Sequence, residues 1–588
     1  MPAMEHLPHF REEYPRPQFS RSSFVNLNGP WDFAFDDENL GPKEHWECSR
    51  IVGRSIQVPF AYESKASGVD DASHHFYVYY GRPIPVDLKE IHLGKRLILN
   101  FEGVDYDCEV YLNGKLIGTH EGAYERFSFD ITDRIQGQND YLCLHIVDKL
   151  ETNKPRGKQT WHEDGPFGCW YTQTTGIYKT VWMEYVSPIH LTALRIASDE
   201  AGKGFDAHYA LSGMGDGLSL KATASFKGKD VSTCVTPIAG QKEGTLHLEI
   251  PHLKLWSPEK PNLYEIRFSL LKGGKAIDEV SSYAGYKTFE AKGNRLYLNG
   301  EQAYLRLCLE QGYYPEGGLT PLNYEELEKE ALLIKNLGFN GLRLHQKSGD
   351  ERFYYLCDVL GLFVTVEMAS PYSFDENTIR TLKEEWPQAV RQYQSHPSII
   401  AYLPINESWG VPEVPTSIPC QTLVNDLVKM TKELDPKRLV ISNDGWEHTV
   451  SDVITTHDYD QDPAHFYNTC AHYDKVLSNE EYVDKRLRRP CFCQGYSYHG
   501  EPVVMDELCG IGFEKDGAGW GYGTSVHNEE EYLARLNGLI HAVVSSPYFS
   551  GFCITQITDV YQEINGLATM NRVLKAPLEK LRAIITQE

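Results

Sequence analysis

The feature that most constrains this chain is a change of rhythm near residue 290. Beyond it, strand-length apolar runs alternate with longer segments of helical period. Strands are expected at 303–309, 340–345, 363–368, 399–406, 438–443, 453–458, 502–508 and 549–558. Helices are expected after most of them, at 350–360, 378–394, 420–434, 528–545 and 576–586. One further helix follows Asn323, a candidate N-cap with Glu326 at the third helical position, and places Leu327, Ala331 and Ile334 on one face. Eight strands spread over roughly 290 residues fit a (β/α)8 TIM barrel. The structural rival is a doubly wound open sheet, but the segment has no Gly-rich phosphate turn between strand and helix. The glycines of Gly510–Gly523, with Gly517, Gly519 and Gly521 among them, are not followed by Lys-Ser/Thr, and the segment reads as a mobile active-site loop.

Before that change the chain carries short alternating runs broken by turn dipeptides. Asn113-Gly114 between Cys108–Leu112 and Lys115–Gly118 is a hairpin signal, because a type I′ turn needs positive φ at both central residues. Further strands are expected at Arg96–Phe101, Arg126–Ile131, Tyr141–Val147 and Lys179–Tyr185. Residues 1–188 read as an antiparallel β-sandwich of the jelly-roll kind. Ser187-Pro188 breaks the pattern. The next stretch, 189–290, has the length and strand spacing of an immunoglobulin-like β-sandwich. Residues 291–588 are then the barrel.

Composition narrows the function classes. There are 57 basic against 82 acidic residues, a net charge of -25, which argues against a nucleic-acid partner or an anionic membrane surface. No apolar run approaches the ~18 residues that span a bilayer. The first twenty residues hold no apolar segment of the signal-peptide kind, so a cytoplasmic location is expected. The 13 cysteines are scattered, and Cys491-Phe-Cys493 has no partner pair at zinc spacing. Free thiols in a reducing compartment are expected rather than a disulfide framework, and no metal or other cofactor is expected.

Barrel active sites lie at the C-terminal ends of the strands. Those ends carry, in order, Arg306 and Glu310; Arg343, His345 and Lys347; Glu367; Asn406, Glu407 and Trp409; Asn443 and Trp446; His457 and Tyr459; Asp506 and Glu507; Gln556 and Asp559. Carboxylates on the fourth and seventh strands suit glycosidic bond cleavage, in which one protonates the leaving oxygen while the other attacks the anomeric carbon or activates water. Neighbouring strand residues face opposite ways, so only one of Asp506 and Glu507 is expected to point into the barrel.

Several ordered strings resemble glycoside hydrolase family 2 over nearly the whole chain. They are Asn28-Gly-Pro-Trp31, Val58-Pro-Phe60, Phe101-Glu-Gly-Val-Asp105, Val110–Gly114, Thr175–Tyr178 with Val181-Trp182, and Leu255–Pro258. The barrel adds Tyr297–Gly300, Leu337–Asn340, His396–Ile399, Asn406-Glu407 and Pro502–Glu507. The resemblance implies retaining exo-hydrolysis of a terminal β-linked sugar, with Glu407 as general acid/base and Glu507 as nucleophile. It implies that Asn406 binds the sugar 2-hydroxyl and that Tyr459 hydrogen-bonds the nucleophile. Family members usually carry an aromatic and Gly after the nucleophile; here Leu508-Cys509-Gly510 follows.

Arg343, His345, Lys347, Trp446, His457 and Tyr459 complete the candidate substrate-binding set. Arg343, His345 and Lys347 are spaced by two, so a continuing strand would aim them at one face. There they would meet either a substrate anion or the pocket's own carboxylates. The β-glucuronidases of the family read the uronate through Asn-x-Lys; the corresponding stretch here, Asn565 to Lys575, lacks that spacing. A β-galactosidase-like activity is therefore the leading expectation. A β-glucuronidase or β-galacturonidase is the alternative, and an inverting hydrolase is a nearer mechanistic one. A catalytically silent carbohydrate-binding protein is the rival from another class. Homo-oligomers are common among sugar hydrolases of this architecture.

Overall fold

The structure is a computed structural model, and it describes residues 4, 6–238, 240–515 and 518–587. Gly517 lies outside the described residues. The N-terminal part is a sandwich of a four-stranded and a six-stranded antiparallel sheet, closed over Trp31, Phe33, Tyr80, Leu99, Val110 and Leu144. The expected hairpin is present: Leu112 pairs with Lys115, and Asn113 and Gly114 have φ of 51° and 73°. Next comes a second sandwich of three and four strands, spanning Leu191–Ala284, around Leu220, Leu246, Ile266 and Phe268. A three-stranded meander over 289–303 follows, so the expected strand 303–309 is divided between the meander and the barrel.

The barrel strands, labelled here within the barrel alone, are β1 (Leu305–Glu310), β2 (Gly341–Leu344), β3 (Phe363–Glu367), β4 (Ile399–Leu403), β5 (Leu439–Val440), β6 (Ile454–Asp458), β7 (Val503–Cys509) and β8 (Phe549–Thr555). All eight pair in parallel, and β8 returns to pair with β1, so the sheet is curled. No ladder joins β5 to β6 among the described residues. There the Asp452 amide donates to the Val440 carbonyl at 2.9 Å. Helices α1 (Tyr324–Asn336), α2 (Glu351–Leu360), α3 (Glu376–Tyr393) and α4 (Ile418–Leu434) pack outside the first half of the sheet. Asn323 caps α1 as expected, accepting from the Glu326 amide at 3.1 Å, and Leu327, Ala331 and Ile334 are buried.

Buried polar contacts join the three parts. Arg126 of the first sandwich reaches Glu102 on its own side, at 2.6 and 2.8 Å, and Glu351 at the start of α2. Tyr106 donates to Glu385 on α3. Arg21 links Glu184 to Asp278 of the second sandwich, each at 2.9 Å. The Trp256 indole donates to the Asp358 carbonyl at 2.8 Å, fastening the second sandwich to the barrel.

Candidate active site

The strand ends converge on one guanidinium. Arg343, near the end of β2, is 0% exposed. It donates to Glu367 through Nε, to Glu507 Oε1 through Nη1 at 2.8 Å and to Asn406 Oδ1 through Nη2 at 2.8 Å. Asp444 Oδ2 lies 2.7 Å from Nη2. Burial opposes this charge, but the carboxylates, Asp444 and Glu367 foremost, raise the Arg343 pKa well above its ordinary value. Of the two partners expected for Arg343, a substrate anion or the pocket's own carboxylates, the structure shows the second: it is buried beneath the pocket and holds the acidic groups in place.

Glu407 follows β4 in an unusual backbone. Glu407 and Ser408 have φ of 50° and 60°, a left-handed pair that is costly for residues with a Cβ. The Asp444 carbonyl accepts from the Glu407 amide and Asn443 Oδ1 from the Ser408 amide, both at 2.9 Å. These bonds fix the carboxylate in the cleft, where Trp409 Nε1 donates to Oε2 at 3.3 Å.

His457, at the end of β6, stands between the carboxylates. Its Nδ1 lies 2.9 Å from Glu407 Oε1 and 3.6 Å from Glu507 Oε2, and its Nε2 lies 3.0 Å from Asp444 Oδ2. Burial opposes a charged imidazole, but Glu507, Asp444 and Glu407 raise its pKa well above the usual histidine value. For Glu407, burial pushes the pKa up, but the His457 hydrogen bond and charge, helped by Lys158 and Arg343, bring it below the ordinary carboxylate value. Oxygens of Glu407 and Glu507 and a nitrogen of His457 lie within 4.8 Å of one another. This is also a donor set of the kind that can hold a cation, although His457 is already engaged by Glu407 and Asp444.

Both acidic residues of β7 turn inward, contrary to the expectation that only one could. The β6–β7 register shifts between Thr456 and His457, so that Thr456 pairs with Met505 and His457 with Glu507. Asp506 is the extra residue of this bulge, and a bulge suspends the alternation of faces. Its Oδ2 lies 3.9 Å from Arg343 Nε, deep in the barrel beside Leu307, Thr365 and Ile441. Burial and then Asp444 raise its pKa well above the carboxylate range. Glu507 instead faces the mouth, where Tyr459 donates to its Oε2.

The other candidates divide. Asn406 is 2% exposed and gives its Oδ1 to Arg343. His345 lies 3.0 Å from Glu367, and burial lowers its pKa, keeping it neutral. The Thr555 hydroxyl donates to the Tyr459 oxygen at 3.0 Å, and Tyr522 stacks on Tyr459 with ring centres 3.4 Å apart. Trp446 is buried behind His457, edge-on at 5.6 Å, and offers no face to a sugar. Lys347 is not brought in. Gln346 has φ of 49°, which ends the strand alternation, and Lys347 turns to the Gln311 carbonyl and a separate small cavity with Lys179 and Asp350. Burial lowers its pKa to about 8.

Beside these groups opens a cleft of about 910 Å³, lined by His457, Asp458, Tyr459, Trp520 and Tyr522 from the barrel and by Gly168, Cys169 and Trp170 from the first sandwich. The segment expected to be a mobile loop is held at its two ends. Residues 511–513 pair with 522–526, and Trp520 Nε1 donates to the Gly168 carbonyl at 3.0 Å. Trp170 meets Trp409 edge-on at 5.5 Å. Sequence reasoning placed Glu367 at a strand end without giving it a role, and gave none to Asp444, Tyr522 or the sandwich-borne Lys158 and Trp170. The aromatic, Gly-punctuated run Trp161–Tyr171 was the available signal for Trp170.

Comparison with known proteins agrees with this architecture. Residues 24–184 match the family model described as "Glycosyl hydrolases family 2, sugar binding domain", 215–287 match "Glycosyl hydrolases family 2", and 289–501 match its TIM barrel domain. A putative β-glucuronidase of Formosa agariphila is 26% identical over 445 residues, 72% of this chain and 51% of that one. A β-galactosidase of Thermoanaerobacter pseudethanolicus is 27% identical over 398 residues, 65% of this chain and 50% of its own. The chain thus spans about half the length of these relatives. Among solved structures, a β-galacturonidase of Eisenbergiella tayi bound to glycerol superimposes with a TM-score of 0.74 at 19% identity, covering 99% and 98% of the two chains. A β-glucuronidase of Bifidobacterium dentium gives 0.78 at 17%, covering 97% and 98%. At such identities the structures speak for the fold alone. The three ordered family models, matching between residues 24 and 501, place the chain in family 2 of the glycosyl hydrolases.

Proposed function

We propose that the chain is a retaining, exo-acting β-glycosidase with Glu407 as general acid/base and Glu507 as nucleophile. The observation that carries this is the approach of the two carboxylates, one oxygen of each lying within 4.8 Å of the other and leaving no room between them for the water of an inverting enzyme. Retaining enzymes hold the pair roughly 5–5.5 Å apart, and inverting ones roughly 6.5–9.5 Å to admit a water. In the first step a Glu507 oxygen bonds to the anomeric carbon as the glycosidic C–O bond breaks, and Glu407 gives its proton to the leaving oxygen. A water then attacks the anomeric carbon, returns a proton to Glu407 and releases Glu507. The proton of the first step can come from His457, whose Nδ1–H faces Glu407 Oε1 at 2.9 Å. Arg343 and Tyr459 restrain Glu507 while its charge is consumed. Asn406, with Oδ1 held by Arg343, has its Nδ2 left for the sugar 2-hydroxyl.

Relatives named β-galactosidase and β-glucuronidase, and a structure named β-galacturonidase, support a terminal β-linked hexose or hexuronic acid. The sequence argument put a galactoside first, and the relatives support the uronides equally. All 13 cysteines are free, which supports the cytoplasmic reading, and no described helix is long and apolar enough to cross a membrane. The test is hydrolysis of a nitrophenyl glycoside panel by wild type, Glu507→Ala and Glu407→Ala. Glu507→Ala is expected to lose about 10³-fold or more in kcat. Glu407→Ala is expected to lose less on a good leaving group, because acid assistance matters less there. Near wild-type turnover by either variant would sink the assignment, and NMR of the first-formed anomer checks retention.

A further inference from the structure

Lys158 lies beside Trp170, which lines the sandwich side of the cleft, and the chemistry above does not use it. Its backbone is fixed on both sides. The Arg156 and Gly157 amides both donate to the Ser370 carbonyl at 3.1 Å, and the Tyr372 hydroxyl donates to the Gly157 carbonyl at 2.5 Å. The Tyr171 amide donates to the carbonyl of Lys158 itself at 2.7 Å. Gly157 has φ of +64°, and a Cβ there would lie 2.4 Å from the Gln346 carbonyl, so glycine is what lets this loop press against the barrel.

The half-buried ammonium lies 5.8 Å from the centre of the Trp170 ring and 6.0 Å from that of Tyr171. It forms no ion pair among the described residues. Burial raises the pKa of the neighbouring Cys169 thiol, against the pull of Lys158, so the thiol stays neutral. Glu563, also nearby, is engaged elsewhere, accepting from the Tyr171 hydroxyl at 2.5 Å and the Asn565 amide at 3.0 Å. Burial raises the pKa of Glu563 too. Burial opposes the Lys158 charge as well, yet a hydrogen bond to the Cys169 sulfur and the nearby Glu563 and Glu507 hold its pKa above the ordinary lysine value. The charge helps to lower the Glu407 pKa.

A rigidly carried cation beside an aromatic face, with no counter-charge at ion-pair distance, suits an anion that arrives with the substrate. We propose that Lys158 is a specificity-determining residue that pairs with an anionic group, carboxylate or sulfate, on the sugar bound at Glu407 and Glu507. The proposal rests on the glycosidase reading and adds what the sugar carries. A lysine that only tuned the field at Glu407 would act alike on charged and neutral sugars.

The experiment compares kcat/KM for nitrophenyl β-galacturonide, β-glucuronide and 6-sulfo-β-galactoside with the matched neutral galactoside and glucoside. Wild type is expected to favour an anionic member, and the uronide and sulfate arms tell which anion. Lys158→Met should cut the anionic-to-neutral ratio about 100-fold, mainly through KM, and Lys158→Arg should recover most of it. Equal or better turnover of the neutral glycosides by wild type overturns the proposal, as does a ratio unmoved in Lys158→Met. If Lys158→Met fails to fold, the wild-type ratio and Lys158→Arg decide by the same criteria. If wild type cleaves no glycoside, the glycosidase reading fails, and calorimetry with free galacturonic and glucuronic acid against galactose and glucose judges Lys158 separately. Preferential binding of the acids, lost in Lys158→Met, supports the role; equal binding of acids and neutral sugars overturns it.

Discussion

A group that must deliver a proton does so best when its pKa lies near the working pH. Glu407 is instead held low by the imidazolium of His457. The acid is therefore better described as a pair that shares one proton across a 2.9 Å hydrogen bond, with Glu507, Asp444 and Arg343 as its charged surroundings. While His457 is protonated the pair is loaded, and its raised pKa extends that condition to higher pH. In His457→Asn only Glu407 can carry the proton, and it releases it at lower pH. The alkaline limb of kcat/KM should then move down by about one pH unit or more, read from pH–rate profiles on one glycoside. An unmoved limb would mean that His457 only orients Glu407. The motifs made Glu407 and Glu507 legible in the sequence, but not this sharing. It depends on side chains from β4, the loop after β5, and β6, which no spacing along the chain relates.

Arg343 and the bulge in β7 belong to the scale of elements. The alternation of strands and helices was readable because burial on both faces leaves a continuous apolar run, and β1 to β8 fall close to their expected positions. Local breaks in that regularity were not readable. The extra residue at Asp506 and the positive φ at Gln346 each overturn a face assignment made by counting in twos. Glu367, Asp444, Asp506 and Glu507 come from two strands, β3 and β7, and the loop after β5, and one guanidinium compensates them. Removing one partner of a buried ionic cluster leaves uncompensated charge, typically worth about 3–5 kcal/mol. Arg343→Met should therefore lower the unfolding free energy from urea titration by an amount of that order and abolish turnover. A variant of wild-type stability would show that protonation of Asp506 and Glu367 already relieves the cluster.

At the scale of the whole molecule, the two sandwiches and the barrel announced themselves by their rhythms. Their docking did not, since contacts between distant loops leave no periodic trace. Arg126 is the clearest example: it serves Glu102 in its own sandwich and Glu351 at the start of α2. Arg126→Met should cost about 3–5 kcal/mol as two acids lose their partner. The first sandwich should also become the earliest site of proteolytic cutting, which mass spectrometry of the fragments would locate. Cutting confined to the barrel would contradict this. The pinned approach of Gly157 and Trp170 to the cleft has a consequence for how such an enzyme could diversify. On the proposed reading the bond-breaking groups sit at the strand ends of one module, and the wall facing them belongs to another. Exchanging that wall alone would then change the sugar accepted and leave the two carboxylates in place, making selectivity a graftable cassette.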